Sequence, residues 1–172
     1  DYLANKKKKE EVIKDGKEVK PLITQTLTLN DIIVQNAIGL INNTIIENAI
    51  KNNKSVKINV FSNAEYSEDG IAAWYLPASN IIYLHESMLK PQHLSEGLPL
   101  IAHELIHSVT EQSLQFDKDF QREIQSLLVS VKNQSEIKDF YGFKDTSEFL
   151  SEAFSSQEFR QLLKNTQFNN TE

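Results

Sequence analysis

The spacing of apolar positions shifts along the chain, and each shift predicts an element. Asn30 reads as a helix cap, and Ile33, Ala37, Leu40, Ile41, Ile45 and Ala49 then recur at helical intervals up to the turn-like Lys51-Asn52-Asn53-Lys54-Ser55. One scaffold helix is predicted there. Val56 to Phe61 alternates as VKINVF, and GIAAWYLPASNIIYLHESML, from Gly70 to Leu89, holds two β-rich runs separated by Pro77-Ala78-Ser79-Asn80. These predict a small sheet ending in a hairpin. After Lys90-Pro91 the period becomes helical again: Leu98, Ile101, Leu105 and Val109 share one side, with Pro99 expected in a first turn opened near Ser95. A further helix is expected from about Phe116 to Val131, and another from Asp145 onward, where DTSE reads as a capping box before FLSEAF. The opening residues, through Thr24, are charged and weakly patterned. The expected organisation is therefore a charged arm or helix over residues 1–25 and a single α+β domain over 26–172, its small twisted sheet lying over the helix that starts near Ser95 and a helical part completing the C-terminal end.

Composition alters this picture in two respects. The chain of 172 residues has no cysteine, so a disulfide framework, a thiol nucleophile and a cysteine metal site are all excluded, and any metal site must be built from His, Asp and Glu. That directs attention to four histidines. The net charge of -6 opposes a phosphate backbone, and the cluster Lys6 to Lys9 is followed at once by acids, which argues against a nucleic-acid partner. No apolar run is long enough for a membrane span.

Two of the histidines stand in AHELIHSVTEQ, Ala102 to Gln112. On a helix, residues four apart project from one face about a turn apart, so His103 and His107 can aim ring nitrogens at a common point. Glu104, rotated off that line, is placed to act as general base on a metal-activated water rather than as a ligand. Apolar neighbours on both sides of this polar trio would make unpaired His and Glu costly, and a metal removes that difficulty. A catalytic zinc site requires a third protein ligand. A further His six residues beyond His107 is not there, because Ser113 occupies that position. The stretch YGFKDTSEFLSEAF, Tyr141 to Phe154, offers Glu148 and Glu152 four apart on one helical face: one can bind metal while the other accepts the remaining N–H of a ligand histidine. His85 and His93, at irregular spacings, read as surface or locally bonded residues.

HELIH followed some forty positions later by YGFKDTSEFLSEAF resembles the catalytic core of the anthrax lethal factor-like metallopeptidases, a family that includes compact secreted Pro-Pro endopeptidases. Its late motif reads approximately Y-G, about five variable residues, then E-F-x-x-E-A-F, matched here by Tyr141, Gly142, Glu148, Phe149, Glu152, Ala153 and Phe154. The resemblance covers roughly the second half of the chain, from the hairpin onward. It implies a zincin-like fold, Zn2+ held by His103, His107 and Glu148, and Glu104 as base. It further implies Glu152 as the carboxylate supporting a ligand histidine, and Tyr141 as the tyrosine that stabilises an oxyanion or protonates the leaving amine. Ile106 departs from relatives that carry a small residue such as Gly before the second histidine. Zincins commonly lay a peptide along an edge strand above the metal, and GIAAWYLP is the candidate strand, with Trp74 or Tyr75 lining the substrate cleft.

The expectation is a monomeric zinc metalloendopeptidase acting on a protein or peptide substrate. The alternatives are a catalytically degenerate zincin-fold binding module and an intracellular metallopeptidase cutting a regulatory protein. A start at Asp1 rather than Met, the lack of cysteine and the resemblance to exported peptidases together lead us to expect a secreted protein, with a cytoplasmic one as the alternative.

Overall fold

A computed structural model describes residues 20–63, 72–134 and 140–165. Within them the protein is α+β, mostly helical, with one mixed four-stranded sheet. The strands are β1 (Ile23–Leu27), β2 (Lys57–Phe61), β3 (Ala73–Leu76) and β4 (Ile81–His85), in spatial order β1-β2-β4-β3. β2 and β4 run parallel in the centre, and β1 and β3 flank them antiparallel, so β3 is an edge strand. The β3–β4 hairpin turns at Pro77 to Asn80, where Asn80 adopts φ 55°, a left-handed conformation that asparagine tolerates better than most residues.

Strands β2, β3 and β4 give alternate residues to one core, to which β1 adds Leu27. Ile58 and Val60, Ile82 and Leu84, and Ala73 face the helical layer together with Leu100, Ile101, Leu105 and Ile106. Those last four belong to α3 (Leu94–Phe116), which follows α1 (Ile32–Ile38) and α2 (Thr44–Asn52). From Leu100 to His107 every residue of α3 is buried, because the sheet covers one side and α5 (Thr146–Ser155) the other. α4 (Lys118–Gln134), α5 and α6 (Gln157–Asn165) form a second, smaller core from Leu128, Val131, Phe143, Phe149 and Phe159.

The structure differs from the sequence reading at several points. Residues 1–19 of the charged arm, and Gly70 and Ile71 of the GIAAWYLP stretch, lie outside the described residues. Residues 23 to 25, assigned to the arm, belong to β1, whose Leu27 pairs with Ile58 and is the strand's one buried side chain. The single helix expected after Asn30 is two. α1 ends at Gly39, and α2 opens at Asn43, whose side-chain oxygen accepts from the Ile46 N–H at 3.0 Å. Pro99 lies past the first turn of α3, which begins at Leu94, so the exposed Ser95 carbonyl lacks the usual amide donor four residues on. Gly97 lets this first stretch of α3 pass against Met88: a Cβ there would collide with the Met88 backbone. The C-terminal helical run is likewise divided, into α5 and α6, at Ser156.

Candidate metal centre

His103 and His107 project from the face of α3 that meets α5. Their approach to α5 is close because α5 presents Ser147, Ser151 and Ser155 at four-residue intervals along the contact. Ser151 is fully buried and donates its hydroxyl to the His103 carbonyl at 2.6 Å; Ser155 donates to the Ser151 carbonyl at 2.6 Å. Small side chains with internal partners permit this packing without leaving a buried hydroxyl unsatisfied. At the N-terminus of α5, Asp145 accepts from the Glu148 N–H at 2.8 Å, which is half of the expected capping box. The Glu148 carboxylate turns instead to the histidines.

Three ligand atoms thereby converge. His103 Nε2 stands 2.9 Å from Glu148 Oε2, His107 Nε2 stands 3.1 Å from Glu148 Oε1, and the two Nε2 atoms are 3.0 Å apart. Atoms bound about 2.0–2.1 Å from a tetrahedral zinc lie roughly 3.3–3.4 Å from one another, so outward movement of a few tenths of an ångström completes the fit. The outer nitrogens explain the orientation. His103 Nδ1 is 2.9 Å from Glu152 Oε1, and His107 Nδ1 is 3.0 Å from Ser147 Oγ and 3.3 Å from Glu111 Oε1. Acceptors at both Nδ1 positions draw the ring protons there and leave two Nε2 lone pairs directed at a carboxylate. Three electron-rich atoms about 3 Å apart in a buried site repel one another unless a cation lies among them. The group His103, His107 and Glu148 can therefore hold a metal ion.

Glu104 is buried beside this group, at 1% exposure. Tyr141 is also buried, on the 3-10 turn Tyr141–Phe143, with its ring centroid 6.4 Å from that of His103. The turn's position depends on Gly142, where a Cβ would come within 2.7–3.0 Å of the Phe159 ring. The Lys144 ammonium sits 5.5 Å from the centre of the Tyr141 ring.

The two aromatic residues proposed for the substrate cleft separate as strand alternation requires. Trp74 is turned to the sheet face away from α3, where it is buried, stacked on Tyr83 at 4.9 Å and tilted against Phe61 at 5.2 Å. Tyr75 faces α3, half-buried, and its hydroxyl donates to Asn80 Oδ1 at 2.9 Å. Burial, and then the nearby Glu111 carboxylate, hold the Tyr75 phenol above its ordinary range.

His85 is locally bonded as expected, but it is buried and not at the surface. Its Nδ1 accepts from the Ser87 N–H at 3.2 Å, capping the turn Glu86–Leu89, and its Nε2 donates to the Asn63 carbonyl at 3.2 Å. One neutral tautomer satisfies both bonds, and burial lowers its pKa. His93 is part-exposed at the start of α3, away from the metal group.

Sequence reasoning missed Glu111 and the serines of α5. Both had a signal: Glu111 extends the series His103, His107 by another four residues, and Ser147, Ser151 and Ser155 repeat that interval beside Glu148 and Glu152. No helix among the described residues is long and apolar enough to cross a membrane. No protein-family model, curated protein sequence or solved structure gives a significant match to the chain.

Proposed function

We propose that the protein is a zincin-like, zinc-dependent endopeptidase that hydrolyses peptide bonds of a protein or peptide substrate, as its resemblance to the lethal factor-like family implies. The observation that carries this reading is the convergence of His103, His107 and Glu148, each imidazole supported by an acceptor at its outer nitrogen, with a buried Glu104 beside them. Zinc bound there would supply positive charge that acidifies a water and polarises the scissile carbonyl.

The chain's own groups account for the proton movements. Glu104 takes a proton from the attacking water and returns it to the amide nitrogen, so that the C–N bond breaks to a neutral amine and a carboxylic acid. The Tyr141 hydroxyl donates to the oxygen that becomes negative when the carbonyl is attacked. Glu152 and Glu111 keep the ring protons on the outer nitrogens throughout. β3, a short edge strand on the side of the sheet that meets α3, offers main-chain groups for pairing with an extended peptide. A module that only held a partner would have no use for a buried acid at Glu104.

The test combines metal analysis of the purified protein with mass spectrometry of products from a diverse peptide mixture. We expect one zinc per chain, and cleavage that a chelator abolishes and added zinc restores. Protein that binds no divalent ion, or cleavage indifferent to chelator, would remove the proposal.

A further inference from the structure

The β3–β4 hairpin is tied to α3 through one asparagine. Asn80, at the left-handed position of the turn, uses every hydrogen-bonding site of its side chain. Its Oδ1 accepts from the Tyr75 hydroxyl at 2.9 Å and from Asn53 Nδ2 at 3.3 Å, and its Nδ2 donates to Asn53 Oδ1 and to Ser55 Oγ, both at 2.8 Å. Asn53, the residue that ends α2, carries the connection onward: its Nδ2 also donates to Ser108 Oγ at 3.2 Å, and Ser108 donates in turn to the Leu105 carbonyl. Ser108 is the residue next to His107 on α3. Closing the turn does not require this network, because the Asn80 N–H already donates to the Pro77 carbonyl and the Asn80 carbonyl accepts from the Lys57 N–H.

The strand held in this way has a defined open side. The Ala72 carbonyl accepts from the His85 N–H at 2.7 Å, which makes these two opposite residues a hydrogen-bonded pair and fixes the alternation along the hairpin. Trp74 and Leu76 therefore direct their main-chain groups to β4, whereas Ala73 and Tyr75 turn theirs to the edge that has no strand partner among the described residues. The Tyr75 ring meanwhile faces α3, near enough to Glu111, the acid behind His107, for that carboxylate to act on the phenol. Tyr75 thus joins the open edge, the asparagine network and the His107 side of the metal group.

We propose that the main chain of Tyr75 pairs with the peptide substrate and that Asn80 is the positioning residue that holds Tyr75 at a fixed height over the His107 turn of α3. The inference rests on the endopeptidase reading for the nature of the ligand and names the residue of β3 that receives it. A peptide paired to Tyr75 inherits that residue's position, so a shift of β3 relative to α3 would move the scissile bond relative to the three converging ligand atoms.

The test measures peptide binding, zinc affinity and stability separately. Short fluorescent degenerate peptides are titrated into zinc-loaded Glu104→Gln protein, alone and with Tyr75→Phe, Asn80→Gly or both added. Phenylalanine keeps the ring and removes the hydroxyl; glycine accepts the left-handed backbone and removes the side chain. We expect Tyr75→Phe to weaken peptide binding about threefold to tenfold, the value of one hydrogen bond, and Asn80→Gly to weaken it at least as much. The double substitution should cost no more than Asn80→Gly alone, because the hydroxyl has then already lost its acceptor. Zinc affinity, from competition with a chelator, should not change. A network that served stability alone would lower the denaturation midpoint and leave the affinity of the folded protein for peptide unaltered. That result, no binding of the peptides, additive losses, or an equal loss of zinc affinity overturns the inference. If the expected shifts appear but wild-type protein cleaves no peptide, the endopeptidase reading falls and the positioning role stands; cleavage by wild type with unaltered binding in the variants overturns only the inference.

Discussion

Glu152 and Glu111 perform parallel tasks for the two histidines, and their geometry ranks them. Glu152 Oε1 approaches His103 Nδ1 to 2.9 Å with its side chain 11% exposed, whereas Glu111 Oε1 is 3.3 Å from His107 Nδ1, is 30% exposed, and shares that nitrogen with Ser147. Replacing either by glutamine keeps size and an acceptor oxygen but removes the charge. Loss of such an outer carboxylate typically weakens metal binding about 10- to 100-fold, or roughly 1.4 to 2.7 kcal/mol. The shorter and drier contact should lie at the upper end, since screening reduces a charge interaction more at an exposed site. Glu152→Gln is therefore expected to weaken zinc binding close to 100-fold, and Glu111→Gln close to tenfold. Competition against a chromophoric zinc chelator at fixed pH measures both, with thermal denaturation confirming that each variant folds. If Glu111→Gln costs as much as Glu152→Gln, distance and burial do not set the contribution of these acids, and the account of how the rings are held is wrong.

Further consequences concern catalysis, packing and pH. Glu104→Gln should retain zinc while turnover on any cleaved peptide falls by about 10²- to 10⁴-fold, the usual contribution of a general base. Tyr141→Phe should lower kcat by about 10²- to 10³-fold with little change in zinc affinity; near-normal kcat would remove the hydroxyl from the mechanism. Gly142→Ala forces a Cβ against the buried Phe159 ring and should cost about 1–3 kcal/mol in chemical denaturation, with a loss of activity as the Tyr141 turn shifts. His85 has a folded pKa below its unfolded value of about 6.5, so its contribution is fully present above that pH and is lost as pH falls towards the folded pKa. The stability difference between wild type and His85→Asn, followed by urea denaturation from pH 7.5 downward, should therefore move in favour of the variant; a difference independent of pH would contradict the buried neutral tautomer.

The features legible in the sequence were those carried by local periodicity. His103 and His107 share a helix, and the hairpin was marked by its turn residues, so both could be read without a fold. β1 could not, because four of its five side chains are exposed and its pairing with β2 joins residues more than thirty positions apart. Apolar periodicity also ran straight across the break at Gly39, since α1 and α2 bury residues in the same core and the interval continues through the loop. The support given by Glu111 and the α5 serines escaped notice for a related reason: serine and glutamate are ordinary on an exposed helix face, and only the packing of α5 on α3 makes these faces buried. Trp74 and Tyr75 were separable as opposite faces of a strand, but only the sheet shows which face meets α3.

Glu148 reaches His103 across 45 residues of chain, and α4 and the Tyr141 turn both lie inside that interval. An ion shared by the two ends would act as a clip on a long loop, and closing a loop of that length costs a flexible chain roughly 3 kcal/mol, before a constant that depends on stiffness. Occupancy would thus be felt well away from the chemistry, as slower amide exchange in α4 and around Phe143. An ion at this site would also keep the smaller aromatic core docked against α3.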